Sequence, residues 1–304
     1  MKKITYSLYP YCLYLISSYL IPFFFSSCQK EITIDLPPLK NKIVVDGRIE
    51  PGFPPYVILA HNMAYFGHQD QNNIQNMFIH DAVIKVSNGT KTITLTEFCS
   101  KSLPDSLLAI MAEFTGVDTL LLKNINYCIY STFDPSVFGQ VGKTYSLSIV
   151  AEGKTYTSST SILPPVPLDS LWWRLDKDDT LGFIWSHLTE PAAEGNTYRW
   201  MAKKIGKDPT FLPPFGAAFD DKFINGQSLN LSYGYYNKGD TIVVKFCAID
   251  NPSYQFFRSM EVVTNSEGNP FAAPASVLSN IYPQKEALGV WCGYGTALDT
   301  VVCK

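Results

Sequence analysis

The chain has 304 residues, 24 basic and 27 acidic side chains and a formal net charge of −3 at pH 7, so no global basic field exists to attract nucleic acid. Hydrophobic residues make up 46% of it and charged residues only 17%, which excludes a disordered chain and leaves a globular protein with a large core. The length suits two domains, and the glycines and prolines follow no period, so collagen-like and low-complexity readings fail.

Residues 1–27 read as a secretory signal. Lys2 and Lys3 supply the positive start, and no charge follows until Lys30. The apolar run between them ends in Phe23, Phe24 and Phe25, ahead of the small Ser26 and Ser27. Cys28 then stands where a bacterial lipoprotein is lipidated: small side chains admit the backbone to a peptidase, and the thiol accepts a diacylglycerol. This predicts a mature chain starting at lipidated Cys28, with residues 28–41 as a tether, and a palmitate-type acyl anchor in the bilayer. Residues 4–29 are also long enough to cross a membrane as an uncleaved anchor, for which about 20 apolar residues suffice, but Pro10 and Pro22 interrupt them. In either reading the remaining polypeptide lies on one side of a membrane. Two or three acyl chains would hold it there stably. Gln29-Lys30-Glu31 resembles the export signal that sends some lipoproteins of Bacteroidota to the outer face of the outer membrane. The expected location is the outer membrane, on its periplasmic or its surface-exposed face.

Residues 42–163 read as an N-terminal immunoglobulin-like β-sandwich. Ile43-Val44-Val45-Asp46-Gly47-Arg48-Ile49 is a strand with a glycine kink, and Tyr56-Val57-Ile58-Leu59-Ala60 follows the Pro54-Pro55 turn. Asn88-Gly89 between Ala82–Val86 and Lys91–Leu95 predicts a hairpin, as does Gly153 between Thr144–Val150 and Thr155–Thr157. The stretch between Cys99 and Cys128 is long for a loop and includes Leu107-Leu108-Ala109-Ile110-Met111, which suits a short helix. A binding surface in this domain is expected there.

Leu163-Pro164-Pro165-Val166-Pro167 cannot continue a strand and reads as a linker. Residues 168–304 read as a fibronectin type III-like β domain with one short helix. Its strands are expected at 171–176, 181–187, 197–205 and 241–249. Phe183-Ile184-Trp185-Ser186, then Pro191, then Tyr198-Arg199-Trp200 resemble a fibronectin type III domain, which implies that Trp185 fills the core and that Tyr198 and Trp200 face one side together. The apolar stripe Phe256, Phe257, Met260 and Val263 predicts the helix over 253–264. The fold class is therefore mostly β.

Of seven cysteines, Cys12 falls in the signal and Cys28 under lipid. Cys99 and Cys128 flank the long connection and Cys292 and Cys303 flank a turn, so each pair fits a disulfide in an oxidising compartment. Cys247 alternates with the core side of a strand and reads as a buried free thiol.

Signatures of catalysis are missing: the sequence has no Gly-x-Ser-x-Gly elbow, His-Glu-x-x-His, phosphate-binding loop or dinucleotide fingerprint. No metal or other cofactor is expected. His61, His68 and His80 lie near Asp70 and Asp81 in sequence, but their spacings match no standard ligand set, and polar loop residues are the simpler reading. Asp220, Asp221 and Asn225 could offer oxygen ligands to calcium, against a simpler role in a turn that sets the backbone at Asn225-Gly226. Trp172, Trp173, Trp185, Trp200 and Trp291 could include a sugar-stacking platform. Trp172 and Trp173 are strand neighbours, so one should face outward; core and interdomain packing is the plainer use.

The order of landmarks carries a family resemblance. These are Val45-Asp46-Gly47-Arg48-Ile49-Glu50, Pro54-Pro55-Tyr56-Val57, Asn88-Gly89 and Gly142-Lys143-Thr144-Tyr145. Further on come Leu168-Asp169-Ser170-Leu171, Phe219-Asp220-Asp221-Lys222, Gly268-Asn269-Pro270-Phe271, Ser279-Asn280-Ile281 and Leu288-Gly289-Val290. They resemble the lipoprotein family of Bacteroidota catalogued as domain of unknown function four-two-four-nine. That resemblance implies an accessory envelope lipoprotein, because members tend to be encoded beside TonB-dependent outer-membrane receptors, and it carries over no catalytic residue. The expected function is a non-enzymatic envelope lipoprotein that partners such a receptor or binds its ligand. A surface glycan- or peptide-processing enzyme and a structural or adhesive envelope protein stand as alternatives.

Overall fold

The computed structural model describes residues 42–62, 77–176, 180–266 and 276–304, and within them 16 strands alternate with short connections and three α-helices. Residues 1–41, with the expected signal, the expected lipidation site Cys28 and the expected tether, lie outside the described residues, as do His68 and Asp70. β1 (Ile43–Ile49) alternates strictly: Ile43, Val45 and Ile49 are buried in one face, and Val44, Asp46 and Arg48 lie on the other. It pairs antiparallel with β2 (Tyr56–His61). β3 (Val83–Ser87) and β4 (Thr92–Thr94) form the hairpin expected around Asn88-Gly89. Its turn spans residues 88–91, with the Asn88 side chain accepting the amides of Thr90 and Lys91.

β5 (Thr96–Cys99) leads into an insertion that carries α1 (Asp105–Thr115) and α2 (Thr119–Asn124) and returns as β6 (Cys128–Ser131). β7 (Thr144–Ala151) and β8 (Lys154–Ser161) form the second expected hairpin. Sheets β1-β2-β6-β5 and β4-β3-β7-β8 pack face to face over Ile43, Val45, Leu59, Ile84, Leu147 and Ile149. Glu152 and Gly153 turn the β7–β8 hairpin with φ of 51° and 75°, both left-handed. Glutamate is a poor residue there, so Glu152→Asn should stabilise the protein by about 0.5–1 kcal/mol. Chemical denaturation reads this as a higher midpoint at constant slope, and an unchanged or lower midpoint would refute it.

The second sandwich follows the proline linker. β9 (Ser170–Leu175), β10 (Leu181–Thr189) and β13 (Ser228–Asn237) make one sheet, ordered β13-β10-β9. β11 (Thr197–Lys204), β12 (Ala218–Asp220) and β14 (Thr241–Ile249) belong to the other. Ile184, Leu188, Tyr198, Trp200, Val244 and Phe246 fill the space between them. Tyr198 and Trp200 share the core face as expected. Trp185 does not: Ile184 takes the buried position and Trp185 lies on the outer face. α3 (Asn251–Ser266) covers residues 253–264 and begins where Asp250 Oδ1 accepts the Ser253 amide. α1 fits the helix suggested around Leu107–Met111, whereas α2 had no sequence signal; the Asp118 cap that accepts the Leu120 amide at 2.8 Å starts it.

The last two strands join the sandwiches. β15 (Ala287–Gly293) runs parallel to β1, with Ile43 opposite Ala287 and Gly47 opposite Trp291, and so extends the first sheet. β16 (Gly295–Val302) pairs antiparallel with β14 in the second sandwich. The range 168–304 therefore contributes a strand to the sandwich built from 42–163. Gly289 permits this: its φ is 111°, and a Cβ on it would sit 1.9 Å from the Val45 carbonyl oxygen. A third apolar cluster lies between the sandwiches, where Met201, Cys247 and Ile249 meet Tyr254 and Phe257 of α3 and Val290, Cys292 and Tyr294. Among the described residues no helix is long and apolar enough to cross a membrane.

Candidate functional site

The outer face of the β13-β10-β9 sheet gathers aromatic side chains that the core does not use. On β9, Leu171 and Trp173 pack inward against the second core, which turns Trp172 and Arg174 outward. Trp173 donates its indole N–H to the Tyr236 carbonyl at 3.2 Å. On β10, the buried residues Gly182, Ile184, Ser186 and Leu188 leave Phe183, Trp185 and His187 facing out. The register sets Trp172 directly opposite Trp185 and Arg174 opposite Phe183. On β13, Tyr235 lies opposite Phe183 and Asn230 opposite His187.

One extra residue on β13 produces this grouping. The pairing shifts between Phe183 and Trp185, because three β13 positions span two on β10, and Gly234 sits in the irregularity with φ 98°. The bulge returns Tyr235 to the same face as Asn230 and Ser232. The ring of Phe183 packs on Tyr235, and its centroid is 5.9 Å from that of Trp185. The Tyr235 hydroxyl donates to Asp176 Oδ2 at 3.0 Å, which fixes the ring and, with the added carboxylate charge, raises the phenol pKa. At the other end His187 Nδ1 meets Asn230 Oδ1 at 2.8 Å. The result is a half-exposed aromatic row with Arg174 at one side and a His–Asn pair at one end. Such a face offers stacking surface and fixed hydrogen-bonding groups together, the combination that a flat ring with polar edges requires. The neighbouring Trp172-Trp173 pair does put one ring out, and that outward ring is Trp172.

The insertion between Cys99 and Cys128 offers a different surface. Leu108, Met111 and Leu122 anchor α1 and α2 on Ile129. Ile110 and Leu120 remain 60% and 69% exposed, with Leu107 and Leu121 beside them in sequence also exposed. The base of the insertion is closed by the Cys99–Cys128 disulfide, which joins residues already opposite one another on β5 and β6.

The second expected bridge is absent. Cys292 and Cys303 are free and buried, like Cys247. β15 delivers Cys292 to the cluster between the sandwiches, whereas Cys303 follows β16 into the second core, so the turn between them separates the two thiols. Burial pushes all three thiol pKa values up, that of Cys247 to about 11, so these are inert core side chains at neutral pH.

Asp220, Asp221 and Asn225 do come together, lining a polar cleft of about 380 Å³ with Glu194, Lys222 and Asn251. Their bonds are those of a structured turn. Asp220 accepts from the Tyr254 hydroxyl, Asp221 accepts the Asn196 amide at 2.8 Å, and Ile224 N donates to the Asp221 carbonyl. Glu190, which the sequence did not flag, is the anchor: it is buried and accepts from Asn196 Nδ2, the Tyr198 hydroxyl and the Gly226 amide. His61 pairs with Glu152 and His80 with Glu97, so the two described histidines of the suspected group are apart, and Asp81 contributes its backbone amide to Glu97. Trp200 and Trp291 are core residues.

A family model described as domain of unknown function DUF4249 matches residues 29–298. No curated protein matches. Among solved structures, the selenomethionine-substituted chicken interferon gamma receptor alpha chain is similar at 10% identity, covering 69% of this chain and 90% of that one with a TM-score of 0.17.

Proposed function

The chain belongs to the DUF4249 family, and from that premise we propose that it is a non-enzymatic envelope lipoprotein that holds a glycan-type ligand for a TonB-dependent outer-membrane receptor. The reading rests on the aromatic row of Trp172, Trp185 and Phe183 with its polar border of Arg174, His187 and Asn230. Pyranose rings present one apolar face and a belt of hydroxyls, which suits stacking surfaces beside fixed donors and acceptors. An acylated Cys28 would keep the ligand site at the membrane, and the exposed leucines of α1 and α2 would supply an apolar face for the receptor.

The test is titration of the mature protein with soluble pyranose oligosaccharides, followed by tryptophan fluorescence and calorimetry. Trp172→Ala and Trp185→Ala should each weaken binding by about tenfold, since one stacked ring contributes about 0.5–1.5 kcal/mol beyond its area. Both variants should keep wild-type stability, because neither ring is in the core. Saccharide binding that survives the double variant, or no binding by the wild type, would remove the platform from the proposal. Co-purification from solubilised outer membranes tests the receptor separately: recovery of the protein without any enriched receptor counts against that part.

A further inference from the structure

The disulfide at the base of the insertion has two neighbours whose side chains can ligate a metal, His80 and Glu97. His80, Glu97, Cys99 and Cys128 each offer a ligand atom, and those four atoms all lie within 4.8 Å of one another. His80 Nδ1 is 2.5 Å from Glu97 Oε1, and that oxygen is 3.4 Å from Cys99 Sγ. While the sulfurs are joined, they are poor ligands. Once reduced, the same four groups make one nitrogen, one oxygen and two thiolate ligands, which is the donor set and number of a tetrahedral zinc centre.

We propose that the reduced form of this cluster binds a divalent cation of the zinc class, and that the Cys99–Cys128 disulfide is its oxidised, metal-free state. A dithiol reductant opens the bridge: two electrons and two protons pass from the dithiol to the two sulfurs, and the dithiol becomes a disulfide. The cation then displaces the two thiol protons and takes the imidazole and the carboxylate as its remaining ligands. Zinc–sulfur bonds of about 2.3 Å at a tetrahedral angle place the sulfurs about 3.8 Å apart, a spacing that facing residues on adjacent strands can meet.

The surroundings hold the ligands in place independently of the bridge. Cys99 and Cys128 are register partners in a ladder that continues through Phe98–Ile129, Glu97–Tyr130 and Thr96–Ser131. Tyr130, buried on β6, accepts the Ala82 amide at 3.2 Å and donates to the Ile79 carbonyl at 2.8 Å, clamping the turn that carries His80. The Asp81 amide donates to Glu97 Oε2 at 3.2 Å, which fixes the carboxylate with Oε1 towards the sulfurs. That is the outer-layer orientation a metal carboxylate needs. The His80 side chain is 42% exposed, so an ion can enter from solvent, and Cys128 is buried.

The experiment uses the mature chain, reduced with a water-soluble trialkylphosphine, desalted without oxygen and titrated with Zn2+ and with Co2+. The reduced protein is expected to bind one ion, with a thiolate-to-cobalt charge-transfer band, and the oxidised protein at least about 100-fold more weakly. The His80→Ala/Glu97→Gln double variant keeps every cysteine and should lose most of that affinity. Cys99→Ser/Cys128→Ser should lose the charge-transfer band. Metal binding that survives in both variants would come from Cys247, Cys292 or Cys303 and would overturn the proposal. So would reduced protein that loses its near-ultraviolet circular dichroism, because the site requires the ladder to persist without the bridge, and so would equal affinity in both redox states.

Discussion

Trp291→Ala should lower folding stability by about 3–5 kcal/mol, the range for removing a large aromatic side chain from a core that collapses only partly. Trp291 is 0% exposed and belongs to the core of the first sandwich, although it lies in the last tenth of the chain. Its indole N–H donates to the Tyr145 carbonyl at 2.9 Å, so the ring ties β15 to β7 across the sandwich. The Asn280 side chain holds the backbone on both sides, accepting Trp291 N and donating to Trp291 O. Gly47 opposite makes room: a Cβ there would come 2.7 Å from the ring. Alanine would leave a cavity and lose the indole hydrogen bond to the Tyr145 carbonyl. Urea unfolding followed by circular dichroism measures the loss, with Trp172→Ala as the comparison expected to stay within about 0.5 kcal/mol. A loss under 1 kcal/mol for Trp291→Ala would show that β15 packs loosely and that the first sandwich stands without it.

That strand marks where sequence reading stops. The alternation in β1, β3 and β7 was legible because each residue's face follows from its neighbours two positions away, and hairpins such as β7–β8 join strands adjacent in sequence. The β15–β1 pairing joins residues more than 200 positions apart, and no local pattern encodes which strand accepts a new edge. Leu288-Gly289-Val290 stands in the sequence only as a landmark of the resemblance, and the reason for its glycine, close contact with the Val45 carbonyl, is visible only when β1 lies beside it. The same limit explains the cysteines. Cys99 and Cys128 bracket an insertion that leaves and rejoins one sheet, so their pairing was readable; Cys292 and Cys303 bracket a crossing from one sandwich to the other, which looks in sequence like a turn. At the candidate site, the outward ring of Trp172 follows from strand alternation. The placement of Tyr235 depends on the bulge at Gly234, and Trp185, Arg174, His187 and Asn230 come together only through register. His80 and Glu97 likewise meet through the turn that Tyr130 holds.

The crossing between sandwiches also carries charge, and removing one partner there should have the second large effect. Lys245 projects from the outer face of β14, and its Nζ lies 2.6 Å from both carboxylate oxygens of Glu50, just past the end of β1. The side chains are 10% and 24% exposed, so water solvates neither ion well. The ammonium also lies 5.2 Å from the Phe211 ring and 5.5 Å from Tyr294, while Arg199 donates to the Tyr294 hydroxyl and stacks on Phe257. The pair therefore sits at the edge of the apolar cluster that joins the two halves. Lys245→Met strands the carboxylate, and Glu50→Gln strands the ammonium. Each should cost about 2–3 kcal/mol, below the 3–5 kcal/mol of a fully buried pair because Glu50 keeps some water. The double variant strands neither charge and should recover at least 1 kcal/mol of the summed loss, since an apolar or neutral replacement of a buried pair is often close to neutral. Equilibrium unfolding of all four proteins closes the cycle, and raising salt should change the coupling little, as screening reaches buried pairs weakly. Strictly additive losses would mean that Glu50 and Lys245 do not stabilise the junction as a pair, and that the β15–β1 ladder and the apolar cluster of Phe257, Tyr294 and Cys292 hold the sandwiches together without them.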